Sequence, residues 1–508
     1  MKIFHISDTH ISDDKHFNKN ALEKALRELN SGPYDIVIHS GDVTESGRLE
    51  QYRKAEKLFK GIDIPFVVIP GNHDKRSGGF SLYQEYIGEA NGVKEGGDSV
   101  IIYVDTGVPD ANIGRVGMSK FEMIRDNLHK YQKKSIKIVN VHHHILPVPR
   151  AGRERNVLSN AGDLLELFLK MDVDLVLSGH RHYPNVHKIE DTVIVNAGTV
   201  SGRKTRHGEA NSYNVIEIDE SEIKVTTQRM KSSREVNSFP RKESKVFYDF
   251  GEREFRIVQV SNTFISSLTE SRLPNTTKFK HTHYTNAVDS INNIEADLVV
   301  HCGGIVEEGI SRNYELADEY LSRIEPPIVY TPAGRDINYL GYHLFQEYFG
   351  NLDQSYAEDD IFLQGVSSAQ YDSPVGIVGD TERKELFKKM NEREETFKGL
   401  FLHHNVVPIP HSREKGLLED SGDILRKVVD ENIDLVLTGT SSHPFAAKVG
   451  NTLVSNVNAL SSVYQRSRYG NSFNLVDVYN NAIVISEINS LWGNRRLLGI
   501  WKRNNSND

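Results

Sequence analysis

The chain has 508 residues, more than one hydrophobic core usually organises, so two or more domains are expected. Hydrophobic residues at 38% and charged residues at 26% describe a globular protein, and no apolar run approaches the roughly 20 residues that cross a bilayer. A net charge of −9 argues against a protein that coats nucleic acid electrostatically, and a single cysteine, Cys302, excludes an intrachain disulfide. The opening residues run directly into a strand pattern, without the long apolar core and cleavage site of a signal peptide. A cytoplasmic location with no membrane partner is therefore the expectation.

In chain order, five apolar, β-branched runs each end in a polar block. Residues 2–6 lead to Asp8-Thr9-His10, and Ile36-Val37-Ile38 leads to Gly41-Asp42. Residues 66–69 lead to Gly71-Asn72-His73-Asp74, residues 137–141 to His142-His143, and Leu175-Val176-Leu177 to Gly179-His180-Arg181-His182. Between them lie amphipathic segments at helical spacing, over 21–29, 49–59, 120–128 and 164–169. Strand patterns over 213–218 and 223–228 follow, so a layered α/β domain over 1–230 is expected. Residues 231–252 lack sustained apolar periodicity and read as a linker.

Residues two apart on a strand share a face, which would let Asp8 converge with His10 and His180 with His182. Two carboxylates, one amide oxygen and four imidazoles form a mixed oxygen and nitrogen set, suited to Mn, Fe, Zn or Co rather than Ca. One such block alone is more often a turn or cap, because Gly, Asn and Asp tolerate turn conformations. Five in order, each closing an apolar strand, point to a site. His5, His16, His39, His187 and His207 lie outside the blocks and read as ordinary core or surface histidines. Arg150, Arg153 and Arg155, and later Arg203, Lys204, Arg206 and His207, form two basic segments after catalytic strands, where phosphate or nucleotide contacts are expected.

The five blocks resemble those of the calcineurin-like metallophosphoesterase superfamily. The run His142-His143-His144-Ile145-Leu146-Pro147, the helix opening Asn160-Ala161-Gly162 and Asn196-Ala197-Gly198-Thr199 are closest in motif to class III cyclic-nucleotide phosphodiesterases and glycerophosphodiesterases. The consecutive prolines of that family are replaced by His144 and Ile145, a departure expected to reshape the substrate rim. The resemblance implies a four-layer αββα sandwich. It also implies one metal ion on Asp8, His10, Asp42 and His182, and a second on Asp42, Asn72, His142 and His180, with Asp42 as the bridge. Either member of the His142-His143 pair could ligate; the first after the strand is preferred, leaving His143 to the substrate with Arg203 and Arg206. His73 is implied as the acid or oxyanion stabiliser, oriented by Asp74.

After residue 252 the framework returns. Ser7 to Ser12 aligns with Ser261 to Ser266, His39-Ser40-Gly41-Asp42 with His301-Cys302-Gly303-Gly304, and Pro70 to Asp74 with Pro332 to Asp336. His142-His143 meets His403-His404, and residues 179–184 meet 439–444. This reads as a tandem duplication of a whole domain over 253–495, followed by a tail, 496–508, that reads as a frayed end. Six of the seven ligand positions are replaced, by Asn262, Phe264, Gly304, Gly334, Thr440 and Ser442; only His403 survives. The expected protein is a dinuclear metal-dependent phosphodiesterase, using a hydroxide bridging its ions and with a 3',5'-cyclic nucleotide as leading candidate substrate, joined to a non-catalytic second domain. A nuclease using Arg466, Arg468 and Tyr469 as a nucleic-acid platform, or a phosphomonoesterase, is the alternative, and a scaffold with merely structural metals is a third reading.

Overall fold

The computed structural model describes residues 1–150, 152, 157–230, 233–241, 249–267, 278–412 and 416–503. The chain divides into two compact units, Met1–Glu243 and Ser244–Asp508. Arg153 and Arg155 lie outside the described residues.

In the first unit the apolar runs are strands covered on both faces, which is why they read as near-continuous hydrophobic stretches. One sheet has the spatial order Arg234–Pro240, Glu222–Arg229, Ser212–Ile218, Lys2–Ile6, Ile36–His39, Phe66–Val68. Its last three strands are parallel, with Ile3 opposite Ile36 and Val37 opposite Phe66, and the others are antiparallel. A second set of strands runs Asn185–Ile189, Thr192–Asn196, Leu175–Ser178, Ile136–Val141, Ser99–Val104, Gly92–Gly96. Ile3, Ile36, Ile38 and Val67 pack against Ile138, Leu175, Leu177 and Val195, forming the core between the sheets. Their neighbours Phe4, Ile6 and Val37 point the other way, onto Leu22, Ala25 and Leu29 of helix Lys19–Ser31 and Tyr52, Ala55 and Phe59 of helix Leu49–Phe59. Helices Met118–Lys130 and Ala161–Lys170, burying Ile124, Leu128, Leu164 and Phe168, complete a four-layer αββα sandwich.

The second unit repeats this plan. One sheet runs Arg495–Lys502, Ala482–Asn489, Ser472–Tyr479, Arg253–Val260, Leu298–His301, Ile328–Tyr330, matching the first sheet strand for strand. The other set, Phe445–Val449, Thr452–Asn456, Leu435–Thr438, Phe397–Phe401, Ile361–Gly365, Ser355–Glu358, matches the second. Ile257, Leu298 and Val300 pack on Phe397, Phe401 and Leu435, while Val258 and Val299 face Tyr284, Ala287 and Tyr314.

Two segments differ from their expected character. Residues 231–252 are not simply a linker: Arg234–Pro240 is an edge strand paired antiparallel with Glu222–Arg229. The segment 496–508 is not a frayed end as far as it is described, because Arg495–Lys502 pairs with Ala482–Asn489 and Trp501 is buried. Arg234–Pro240 carries mostly exposed side chains, and in Arg495–Lys502 the apolar Leu497, Leu498, Ile500 and Trp501 do not alternate with polar residues, the pairing register shifting between Ile485 and Ser486, so apolar periodicity reveals neither strand.

Candidate metal centre

All five blocks of the first unit lie just beyond the carboxyl ends of their strands. Asp8 and His10 do not converge by strand alternation, because both have left the strand. They sit in the left-handed region, at φ 55° and 47°, as do Asp42 at 56°, His180 at 71° and His182 at 54°. Non-glycine residues rarely adopt such angles, and they persist where surrounding structure over-determines them. Here Asp8 N–H donates to Gly41 O at 2.9 Å and His10 N–H to Asp42 O at 3.0 Å, locking the first loop onto the second. The glycines are steric requirements: a Cβ on Gly71 would lie 2.1 Å from Asp42 Oδ1, and one on Gly179 would lie 1.9 Å from Ser7 Oγ.

Two groups of lone pairs result. In the first, His182 Nε2 is 3.1 Å from Asp8 Oδ1 and 2.9 Å from His10 Nε2, and His10 Nε2 is 3.7 Å from Asp42 Oδ2. In the second, Asn72 Oδ1 is 3.1 Å from His142 Nε2 and 3.0 Å from His180 Nδ1, while His142 Nε2 is 3.5 Å from Asp42 Oδ2. One oxygen of Asp42 thus faces both groups, and its other oxygen accepts from His73 N–H at 2.8 Å.

In His142 and His182 the ring nitrogen facing away is spoken for. His142 Nδ1 donates to Ser40 O at 2.7 Å and His182 Nδ1 to Lys204 O, which leaves each Nε2 lone pair turned inward. Asn72 Nδ2 donates to Asn112 Oδ1 at 3.2 Å, so the amide oxygen is the atom presented to the histidines. Asp8 Oδ1 is buried, with no hydrogen-bond donor among the described residues. Oxygen and nitrogen lone pairs converging this closely in a buried pocket suit cations between them, and the side chains of both groups could hold metal.

The electrostatics agree. Burial would raise the carboxyls of Asp8 and Asp42, yet His182 and His10 beside the one, and His142 and His73 beside the other, hold both well below the ordinary carboxylate range. Burial would depress His10 and His142, but Asp8 and Glu45 push His10 up to about 10 and Asp42 pushes His142 up to about 9. The anionic pocket draws in protons where it has no other cation.

His73 lies beside the first group, its ring edge-on to His10 at 4.6 Å between centroids, with Nδ1 bonded to Glu45 O at 2.7 Å. Asp74 does not orient it. The Asp74 carboxylate is buried and accepts from the N–H groups of Val43, Thr44 and Gly71 and from the Thr44 hydroxyl, so it clamps the Asp42 loop to the Asn72 loop. An acidic residue next to a histidine in sequence is turned the other way by the 3₁₀ turn His73–Gly78. His143 lies within reach of His142 and His180, but both its nitrogens are engaged, with Thr106 Oγ1 at 2.8 Å and Asn112 O at 3.2 Å. His144 and Ile145 are buried, and His144 stacks on His180, so the departure from the proline pair alters packing behind the site rather than its rim. Arg203 is exposed, with Nε donating to Phe17 O at 3.4 Å, and Arg206 is half-buried.

Glu45 and Asn112 were not singled out from the sequence. Glu45 Oε2 is 2.8 Å from His10 Nδ1. Its spacing of three residues from Asp42 was a usable signal; Asn112 belongs to a loop with no motif.

In the second unit Asn262, Phe264 and Ser442 keep the left-handed conformation of Asp8, His10 and His182, at φ 51°, 48° and 45°. Asp336 repeats the Asp74 clamp, accepting from Gly304, Val306 and Ala333 N–H. His403 bonds Cys302 O and Thr440 Oγ1 through its two nitrogens. Among the described residues, groupings of His, Cys, Asp and Glu able to hold a metal occur in the first unit.

Residues 1–184 match the family described as calcineurin-like phosphoesterase. A probable glycerophosphodiester phosphodiesterase of Arcobacter nitrofigilis is 29% identical over 212 residues, covering 38% of this chain and 74% of that protein. A 3',5'-cyclic adenosine monophosphate phosphodiesterase of Haemophilus influenzae is 24% identical over 193 residues, covering 36% and 70%. A DNA double-strand break repair protein of Methanosarcina acetivorans is 27% identical over 238 residues, covering 43% of this chain and 37% of that protein. The matched residues 1–184 carry all five blocks of the first unit, and the match supports a hydrolase acting on phosphoric esters.

Proposed function

We propose that the first unit hydrolyses a small phosphodiester, with 3',5'-cyclic nucleotides the leading candidates, using two transition-metal ions. Asp8, His10, Asp42 and His182 would hold one ion and Asp42, Asn72, His142 and His180 the other. The observation that carries this reading is the single Asp42 oxygen facing both groups. Ions bound there would supply Lewis acidity and acidify water at neutral pH.

The chain's own residues supply the rest. With Nδ1 held by Glu45 O, the His73 Nε2 carries a proton only in the imidazolium form. Burial disfavours that form, lowering the His73 pKa, and an approaching phosphodiester anion counters the effect. His73 would then donate from Nε2 to a phosphoryl oxygen or to the departing alkoxide. Arg203 and Arg206 would contact the substrate's outer charge. His143, locked by Thr106 and Asn112, would act through packing against His142 rather than by touching substrate. The second unit would serve as a non-catalytic partner, since the surviving His403 has both nitrogens committed.

The relatives' activities favour diesters, and the similarity to a DNA repair protein supports a nuclease as the second reading. A panel of cyclic nucleotides, glycerophosphodiesters and oligonucleotides, assayed with Mn, Fe, Zn and Co, separates them. Cyclic nucleotides should turn over fastest. Asp42→Ala should abolish hydrolysis of an activated aryl phosphodiester and lower bound metal together; full activity in that variant overturns the assignment.

A further inference from the structure

The second unit holds a cleft of about 540 Å³ at the position that the metal ligands occupy in the first, lined in part by Phe264, Glu307, Arg335, Tyr464 and Arg466. Its chemistry is inverted. Glu307 corresponds to Glu45, but the groups facing it are now cations: Arg335 Nη1 donates to Glu307 Oε1 at 2.7 Å, and Lys278 pairs with the same oxygen. The Arg335 guanidinium lies 5.4 Å from the centre of the Phe264 ring and 5.7 Å from that of Tyr464. Arg335 stands where His73 stands in the first unit, and Arg466 corresponds to Arg206. The first unit gathers ligands for cations; the second supplies fixed cations of its own.

A separate observation points to an occupant. The Glu307 side chain is only 8% exposed, and its Oε2 is buried with no hydrogen-bond donor among the described residues. Arg335 and Lys278 both serve Oε1, so Oε2 is an acceptor to which no described residue donates.

We propose that this cleft binds a nucleoside monophosphate. The planar guanidinium of Arg335 matches a phosphate group, and Arg466, which donates from Nη1 to His411 O at 2.6 Å, adds a second cation to the lining. A ribose hydroxyl or a base amino group is the neutral donor that Glu307 Oε2 accepts, and Tyr464, 39% exposed, offers a ring face for a base. The volume lies within the range of small-molecule sites. Inorganic phosphate alone would leave Oε2 and the aromatic wall unused, a nucleoside would leave the guanidinium unused, and the exposed Glu308 and Asp372 on the lining oppose a longer polyphosphate. No bond is made or broken; the site is a receptor.

The test is calorimetric titration of the full-length protein carrying Asp42→Ala, in chelator, with AMP, GMP, inorganic phosphate and adenosine. The expected result is saturable one-to-one binding of a nucleoside monophosphate, weakened at least about tenfold when Arg335→Ser is added, with phosphate and adenosine each binding at least about tenfold more weakly. Tyr464→Leu, which leaves the ion pairs intact, should weaken the same binding and serves as the deciding variant where Arg335→Ser fails to melt cooperatively. Absence of saturable binding, equal binding of phosphate alone, or binding undiminished by Tyr464→Leu and Arg335→Ser overturns the proposal.

Discussion

Glu45 serves two neighbours through two different atoms. Its backbone carbonyl accepts from His73 Nδ1, and its carboxylate stands 2.8 Å from His10 Nδ1. A carboxylate behind a ligating imidazole fixes the ring and raises its basicity, and losing such a partner typically costs 10–100-fold in metal affinity. Glu45→Gln should therefore weaken metal binding by roughly that factor in equilibrium dialysis while leaving the His73 bond, which is made to the backbone, in place. His73→Ala should do the opposite, lowering kcat by roughly 10²–10⁴-fold with the metal content unchanged, as expected for one acid or oxyanion group. Parallel loss of metal and activity in His73→Ala would make His73 a ligand. The two residues are 28 apart in sequence and meet because Asp74 clamps their loops together.

At the scale of elements, the edge strand Arg495–Lys502 is the most exposed to test. It pairs with Ala482–Asn489 and buries Trp501 beside Phe255, Leu298 and Ile483. Truncation after residue 494 should lower the stability of the second unit by at least about 3–5 kcal/mol, the cost of removing one large buried aromatic, and expose a strand edge to association. Denaturant unfolding and light scattering check both effects; an unchanged unfolding midpoint contradicts them. This strand was illegible in the sequence because its apolar residues do not alternate with polar ones, and Arg234–Pro240 because its side chains are mostly exposed. The central strands were legible because each is covered on both sides, and the ligand blocks because each closes such a strand. What the sequence could not disclose was the conformation that makes the blocks converge: residues of the Asp and His type tolerate the left-handed φ found at Asp8, His10 and Asp42 but do not dictate it. The direction of Asp74 was hidden for the same reason, since proximity in sequence to His73 says nothing of where a turn aims a carboxylate.

At the scale of the molecule, the two units share strand order in both sheets, which supports reading them as copies, and the family match ends at residue 184. Residues 244–508 expressed alone should fold cooperatively, bind no stoichiometric metal pair and hydrolyse no aryl phosphodiester; two bound ions or turnover would contradict a non-catalytic role. The left-handed backbone at Asn262, Phe264 and Ser442 and the glycine at 304, itself at φ 74°, carry a consequence for this role. At these positions the side chains differ from those of Asp8, His10, His182 and Asp42 while φ stays in the same left-handed region. Asn262→Asp, Phe264→His and Ser442→His would place ligand side chains on a backbone already bent to receive them, whereas Thr440 lacks the left-handed φ of His180 and a Cβ on Gly334 would lie 2.7 Å from Ser373 O, so a full set of ligands needs the loops themselves to move.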